Sequence, residues 1–293
     1  MASRYSAVHE HPQGPGDARP TALQIVKNEG VENAFAGKTG ATLYLTARDI
    51  NKVNEALSDI IDSPRVHVLH LDLTSLASVQ HCVEEFTSKS PTLNVLIEDA
   101  GVMACPESRT VDGFETQFGS NYLAHFLLFY KLRPLLLASS APDLPLASLF
   151  LSGEYGPWKA YGQSKTALVW AANEIERQYG PQGLHAFSLH PGGIQTELLR
   201  HVTDQQKADW ADNDVLSRYW KSPERGVAST VWASVARELE GQGGKYLDNC
   251  QIAEPHDPSK GDFAPGYAPW AYDENGATRL WSTTLEMLHL DAE

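Results

Sequence analysis

From Thr42 onward, short runs of β-forming residues alternate with amphipathic helical stretches, and few folds accept that order. Thr42-Leu-Tyr-Leu-Thr-Ala47 lies between Gly40 and Asp49 and reads as a strand. Asp49 is a candidate N-cap for a helix over 50–61, whose Ile50, Val53, Ala56, Leu57, Ile60 and Ile61 fall on one face. The pattern repeats with a strand over 66–71, a helix from Thr74 or Ser75 to about Phe86, and a strand over 93–97. A long helix over 113–138, a short strand over 146–151, a helix opened by Pro157 and running to about Tyr179, and a strand over 184–189 follow. A helix over 223–239, a weak strand over 245–247 and a helix over 275–288 complete the chain. Parallel strands need crossovers of this length, so the alternation predicts an α/β fold with a doubly wound parallel sheet and helices on both faces. No linker divides residues 39–293, which read as one domain behind an N-terminal leader, 1–38. Met1–Pro20 has no apolar run, carries Gly14, Pro15, Gly16 and Pro20, and reads as disordered; Thr21 is placed to cap a short helix over 21–28.

Charge and cysteine usage narrow the partners. A net charge of −14 without a basic run disfavours phosphate backbones and anionic membranes, so no nucleic-acid partner is expected. No apolar run approaches the length of a membrane span. Cys82, Cys105 and Cys250 are odd in number and widely spaced. They suggest neither a disulfide framework nor a metal site, and they fit a reducing, cytoplasmic setting.

Ligands of such sheets sit beyond the carboxyl ends of the strands. The segments there are Thr46-Ala-Arg48-Asp49, Asp72-Leu73, Asp99-Ala-Gly101-Val102 and Pro191-Gly-Gly-Ile194-Gln-Thr196. The helix opened by Pro157 carries Tyr161-Gly-Gln-Ser-Lys165. A tyrosine and a lysine at i and i+4 share a helix face. An ammonium near a phenol favours the phenolate, and a tyrosine so tuned can exchange a proton with a carbonyl or alcohol oxygen. Tyr155 and Lys159 have the same spacing, but Pro157 falls between them and breaks helical geometry. By spacing alone, Tyr161 and Lys165 could equally be a solvated helix face.

These strand-end motifs, in this order, resemble the short-chain dehydrogenase/reductase family over about residues 40–250. The nearest likeness is to fungal members similar to retinol dehydrogenases and to the oxidoreductase domain found beside WW domains. Trp158-Lys-Ala-Tyr161-Gly-Gln-Ser-Lys165-Thr-Ala and His190-Pro-Gly-Gly193 are the phrases most specific to that branch. The resemblance implies a Rossmann-like sheet and an NADP(H)-dependent oxidoreductase interconverting an alcohol and a carbonyl, with NAD the less favoured cofactor. It casts Tyr161 as the proton donor or acceptor, and Lys165 as the group that lowers its pKa and binds the nicotinamide ribose. It casts Asn121 as holding a water on the proton relay, Asp72 with Leu73 as the adenine contact, and Arg48 as the cation for a 2′-phosphate. Ile194 and Thr196 would contact the nicotinamide end. The segment Leu198–Trp220 would form a substrate lid, and its Leu198, Leu199, Trp210, Leu216, Tyr219 and Trp220 suit a bulky apolar small molecule of secondary metabolism. A homodimer through the long helices 113–138 and 158–179 is a further implication.

Three departures stand beside the matches. Members of the family open with a strand, a glycine-rich TGxxxGIG turn and a helix, whose backbone N–H groups hold a pyrophosphate. Here Phe35-Ala-Gly-Lys-Thr39, the lead-in, runs directly into Gly40-Ala-Thr-Leu-Tyr-Leu45, so that strand, turn and first helix, roughly 20 residues, are expected to be lacking. Glu98-Asp99-Ala-Gly101 stands where the family reads Asn-Asn-Ala-Gly, which puts Asp99 in the place of a ribose-holding amide. The catalytic serine position is compressed: Ser152, at a strand end, is the candidate, and Ser148 falls mid-strand. The departures open a second expectation, a non-catalytic relative or truncated gene product with impaired cofactor binding.

Overall fold

The computed structural model describes residues 4–30, 42–58, 61–138, 155–261 and 264–291. Helix α1 (Ala22–Asn28) begins at a capping box in which Thr21 and Gln24 bond reciprocally. Strand β1 (Leu43–Ala47), helix α2 (Ile50–Ala56, capped by Asp49) and strand β2 (Val66–His70) form the first crossover. β1 and β2 run parallel in the register Leu43↔Val66 to Ala47↔His70. Helix α3 (Leu76–Lys89), capped by Ser75, follows. A π-helical turn, Gly119–Leu123, leads into helix α4 (Ala124–Leu137), and Pro157 opens helix α5 (Pro157–Tyr179). Strand β3 (Phe187–His190) is followed, after Pro191 and Gly192, by a short strand, β4 (Gly193–Ile194). Helices α6 (Asp204–Ala211) and α7 (Asp214–Tyr219) then lead to strand β5 (Trp220–Lys221). Helix α8 (Ala228–Val235), strands β6 (Lys245–Asp248) and β7 (Gln251–Ile252), and helix α9 (Glu274–Met287) complete the chain. β6 pairs parallel with β3 and antiparallel with β7, and β4 pairs parallel with β5.

The α/β alternation, the parallel pairing and the helices packed on the strands are as predicted. The strand expected over 93–97 is different: among the described residues it belongs to no ladder, and none joins the β1–β2 pair to the β3–β6–β7 group. A strand persists only where a neighbour takes its backbone groups. The strand expected over 146–151 lies outside the described residues. Val95 and Ile97 are accordingly 49% and 55% exposed, where a central strand would be covered on both faces. The helix expected over 113–138 starts later because Gly113 adopts φ +87° and Arg109 bridges to Glu115. The helix expected over 223–239 breaks after Gly226 and again after Val235.

One core lies among α4, α5 and α9, where the Trp281 ring packs edge-on against Phe126, with Tyr122, Phe129 and Tyr179 around it. A second sets β2 and α3 against α4 through Leu69, Val79, Phe86 and Leu127. The third corrects the expectation for the leader. Tyr5 and Ile25 are buried in a cluster with Ala228, Trp232 and Leu247, so residues 4–30 are an integral layer against α8 and β6 rather than a disordered extension. Residues 31–38 of that leader lie outside the described residues. Ile25 is fully buried, so Ile25→Ala should destabilise the fold by about 2–4 kcal/mol. Urea unfolding measures this, and an unchanged midpoint would mean that α1 is not part of the cooperative unit.

Candidate active site

The site is assembled by two buried amides. Asn121 sits in the π-helical turn and is fully buried. Its Nδ2 donates to the Val102 carbonyl (2.8 Å) and to Ser164 Oγ (3.0 Å), while its Oδ1 accepts from the Val102 N–H (2.8 Å). Ser164 Oγ donates in turn to the Tyr161 carbonyl (2.8 Å). Gln117 repeats the device one turn earlier: its Oε1 accepts from the Ala104 N–H (2.8 Å), and its Nε2 donates to Tyr155 Oη (3.1 Å) and the Pro157 carbonyl (2.9 Å). The segment 101–104 is thereby held against the first two turns of α5. Asn121 thus positions backbone with its amide. Gly101 is required here, because a Cβ would stand 2.8 Å from Asn121 Oδ1 and 3.7 Å from Lys165 Nζ.

Tyr161 and Lys165 share a face of α5, with the ammonium 5.6 Å from the centre of the tyrosine ring. The Tyr161 hydroxyl is pushed up from its ordinary value, first by burial and then by the Asp99 carboxylate. This reverses the expected lowering by Lys165. The lysine is itself pushed down by burial, with Asp99 acting in the opposite sense. A carboxylate where the family reads an amide therefore acts on both groups, raising the phenol further and opposing the effect of burial on the lysine. Tyr155 is engaged elsewhere: its hydroxyl donates to the Cys105 carbonyl (3.0 Å), and burial pushes it up to about 12. Of the two Tyr/Lys pairs, only Tyr161 and Lys165 lie wholly within one helix.

Behind Asp99, the Glu98 carboxyl is pushed up to about 8 by burial. Its Oε1 stands 3.9 Å from His125 Nδ1, and neither atom has a hydrogen-bond partner. His125 Nε2 pairs with the Ala100 carbonyl (2.8 Å), so this nitrogen carries the proton, and burial pushes the ring down to about 4. A protonated Glu98 beside a neutral His125 is the arrangement consistent with both directions.

The remaining expected residues lie where the strands end. Arg48 is exposed after β1. Asp72 follows β2, and its Oδ1 accepts from the Thr74 N–H (2.9 Å) and from Thr74 Oγ1 (2.8 Å), so it shapes the turn into α3. Leu73, beside it, packs on the α3–α4 core. Ile194 lies in β4, and Thr196 Oγ1 caps the turn over 197–201 by accepting from the Leu198 N–H (3.3 Å). Ser152 and Ser148 lie outside the described residues. Tyr161 packs with Met103, Ala104, Val202, Leu198 and Trp210. Next to this cluster lies a cleft of about 520 Å³ lined by Thr196, Leu199, Arg200, Trp210 and Trp220. Trp158 links the two, its ring 6.4 Å from Tyr161 and 6.0 Å from Trp210.

The chain as a whole has relatives. A family model described as enoyl-(acyl carrier protein) reductase matches residues 33–239. The short-chain dehydrogenase/reductase prx1 of Penicillium roqueforti is 42% identical over 325 aligned residues, covering 98% of this chain and 95% of its own. The chain belongs to the short-chain dehydrogenase/reductase family. Human retinol dehydrogenase 13 is 33% identical, covering 94% of this chain and 82% of its own. The Pseudomonas aeruginosa RhlG/NADP active-site complex shares the fold at a TM-score of 0.56 and 22% identity, over 77% of this chain and 89% of its own. The chain is accordingly an oxidoreductase of this family with a Rossmann-like α/β fold. Among the described residues no helix is long and apolar enough to cross a membrane. The alignment with prx1, at 325 residues, is longer than the 293 residues of the chain, so that relative carries stretches without a counterpart here.

Gln117, Ser164 and His125 are the site residues that motif reading did not single out. Ser164 lay within the quoted Tyr161–Lys165 phrase, and only its burial reveals its role. Two outcomes follow from the electrostatics. Asp99→Asn should lower the Tyr161 pKa, read as a phenolate titration near 295 nm that moves to lower pH and disappears in the double variant with Tyr161→Phe. The Glu98 pKa rises from 4.5 to about 8 on folding, so the folded state keeps a proton that the unfolded state releases, and stability falls as pH rises through that window. His125, lowered from 6.5 to about 4, acts oppositely: stability falls as pH drops from 6.5 toward 4. Glu98→Gln should flatten the loss between pH 5 and 8 in thermal melts and leave the acid limb in place.

Proposed function

We propose that this chain uses NADP(H) to interconvert an alcohol and a carbonyl on an apolar small molecule, in the secondary metabolism implied by its fungal likeness. The observation that carries the reading is the Tyr161–Lys165 pair, locked to the 101–104 segment through Asn121 and Ser164 and opening onto an apolar cluster. The nucleotide would lie along the strand ends, with Arg48 toward a 2′-phosphate, Asp72 and Leu73 toward adenine, Lys165 and Asp99 toward the nicotinamide ribose, and Ile194 with Thr196 toward the nicotinamide. NADP is supported by the exposed cation after β1 and by the RhlG complex, which is described as holding NADP. When bound, the nicotinamide supplies or accepts the hydride at the carbonyl carbon.

The protein's own residues handle the proton. Tyr161 Oη, protonated near neutral pH, gives its proton to the carbonyl oxygen as negative charge grows there, and takes one back from an alcohol in the reverse direction. Lys165 stabilises the phenolate left behind. Asp99 works against it, which favours the donor role and moves the base role to higher pH. Met103, Val202, Leu198 and Trp210 exclude water around the hydroxyl and suit an apolar substrate. Tyr161→Phe should lower the rate of NADPH oxidation at 340 nm by about 10²–10⁴-fold with little change in fold. A variant with full rate would remove Tyr161 from the chemistry.

A second reading, weakened cofactor binding, is favoured by one observation: relatives align over more residues than the chain contains. We place the missing stretches at Thr39/Gly40 and near Leu151–Gly153, which corresponds to loss of the first strand, glycine-rich turn and first helix, and of the serine-bearing loop. The diphosphate would then lack its cradle of backbone N–H groups, while Glu98 and Asp99 add carboxyls nearby. Titration with NADPH separates the readings: saturable binding below millimolar supports the first, and none at millimolar supports the second. Transcript sequencing across both junctions shows whether extra codons exist.

A further inference from the structure

The N-terminal segment makes an unusual contact with the far side of the cleft. The Arg19 side chain is 2% exposed, and its guanidinium is engaged all round. Nε donates to Asp17 Oδ1 (2.9 Å) and Nη1 to the Tyr219 carbonyl (3.2 Å). Nη2 donates to the carbonyls of Gly14 (3.2 Å), Arg218 (3.3 Å) and Trp220 (2.7 Å). Three consecutive carbonyls, 218–220, thus converge on one cation at the C-terminus of α7, where helix carbonyls lack intrahelical partners and where the helix dipole favours positive charge. The Gly14 N–H also donates to the Arg218 carbonyl (3.0 Å), which Gly14 can do at φ +99°. Arg225, beyond β5, donates through Nε to the Asp17 carbonyl (3.1 Å). Residues 13–19 therefore grip the stretch 218–225 at both ends.

What is gripped is a wall of the cleft. The Trp220 ring lines it beside Trp210, 6.3 Å away, and lies over Gly193, where a Cβ would stand 3.0 Å from the ring. The Trp220 backbone pairs with Gly193 in β4, and Lys221 Nζ donates to the Pro191 carbonyl (2.9 Å). Moving carbonyls 218–220 would move the aromatic wall and the strand leading to Thr196 together. The strap is in turn anchored by Tyr5 and Ile25 in the α8–β6 core, so it cannot drift with the lid.

We propose that Arg19 is a positioning residue for the substrate cleft: it holds Trp220 against Gly193 from outside the catalytic segment, so that the N-terminal strap, and not the lid alone, sets the shape available to a flat apolar substrate. The proposal rests on the reading of this cleft as the substrate site. It separates Arg19 from proton transfer, because its hydrogen bonds go to Asp17, to the Gly14 carbonyl and to the backbone of 218–220, and none reaches Tyr161 or Lys165. A single ammonium could not serve Asp17 and four carbonyls at once, so lysine would not replace it.

The test uses the full chain, Arg19→Gln, Arg19→Lys and the milder Asp17→Asn. Quenching of tryptophan fluorescence by the neutral aromatic ketone 2-acetonaphthone gives the cleft affinity, and hydrogen exchange gives the protection of amides 218–222 and of α5. The expected result is an affinity tenfold or more weaker for both Arg19 variants, an intermediate loss for Asp17→Asn, and faster exchange at 218–222 with α5 unchanged. Should the Arg19 variants not fold, Asp17→Asn carries the comparison alone. Equal ketone affinity in a folded variant, uniform loss of protection including α5, or no quenching in the wild-type chain would overturn the proposal. NADPH titration of the same proteins distinguishes this from the function: a chain that binds the ketone in an Arg19-dependent way without binding NADPH sustains the cleft and sinks the cofactor reading.

Discussion

The carboxamide of Asn121 closes a hydrogen-bonded link between the 101–104 segment and the helix that carries Tyr161. On one side it takes both backbone groups of Val102, and on the other it reaches Ser164, which bonds the carbonyl of Tyr161. A π-helical turn makes this reach available, because the extra residue per turn carries the amide out of the regular α-helical rows. Buried amide groups left unpaired would cost about 1–3 kcal/mol each, so the link is strongly selected once the turn is buried. It fixes the Asp99–Val102 turn relative to the hydroxyl whose proton affinity Asp99 helps to raise.

The electrostatics of the site follow from that placement. The spacing of Tyr161 and Lys165 predicts a pair in which the cation tunes the phenol downward, but burial and Asp99 dominate, and the phenol moves up. Spacing reveals which side chains share a face; it is silent on how much water each keeps and on which group from another element approaches. The same holds one residue earlier, where burial shifts Glu98 and His125 in opposite directions without pairing them.

The sheet shows the reverse relation between local and long-range information. The run over 93–97 has every local property of a strand, yet it joins no ladder among the described residues. Strand character is a relation between chains of hydrogen-bonding groups, which the residues of a run cannot by themselves supply. The leader is the opposite case. Its glycines and prolines read as disorder, but Arg19, Tyr5 and Ile25 find partners some two hundred residues away.

The sequence by itself determined the α/β alternation, the family, and the face shared by Tyr161 and Lys165. These rest on short-range periodicity and on motif phrases that survive in one dimension. Tertiary structure alone decided that Asn121 and Gln117 are clamps, that Asp99 opposes Lys165 at the phenol, and that the N-terminal segment bonds the backbone of 218–220 behind the cleft. Each of these depends on desolvation and on hydrogen bonds between residues distant in the chain, and neither quantity exists until the chain has folded.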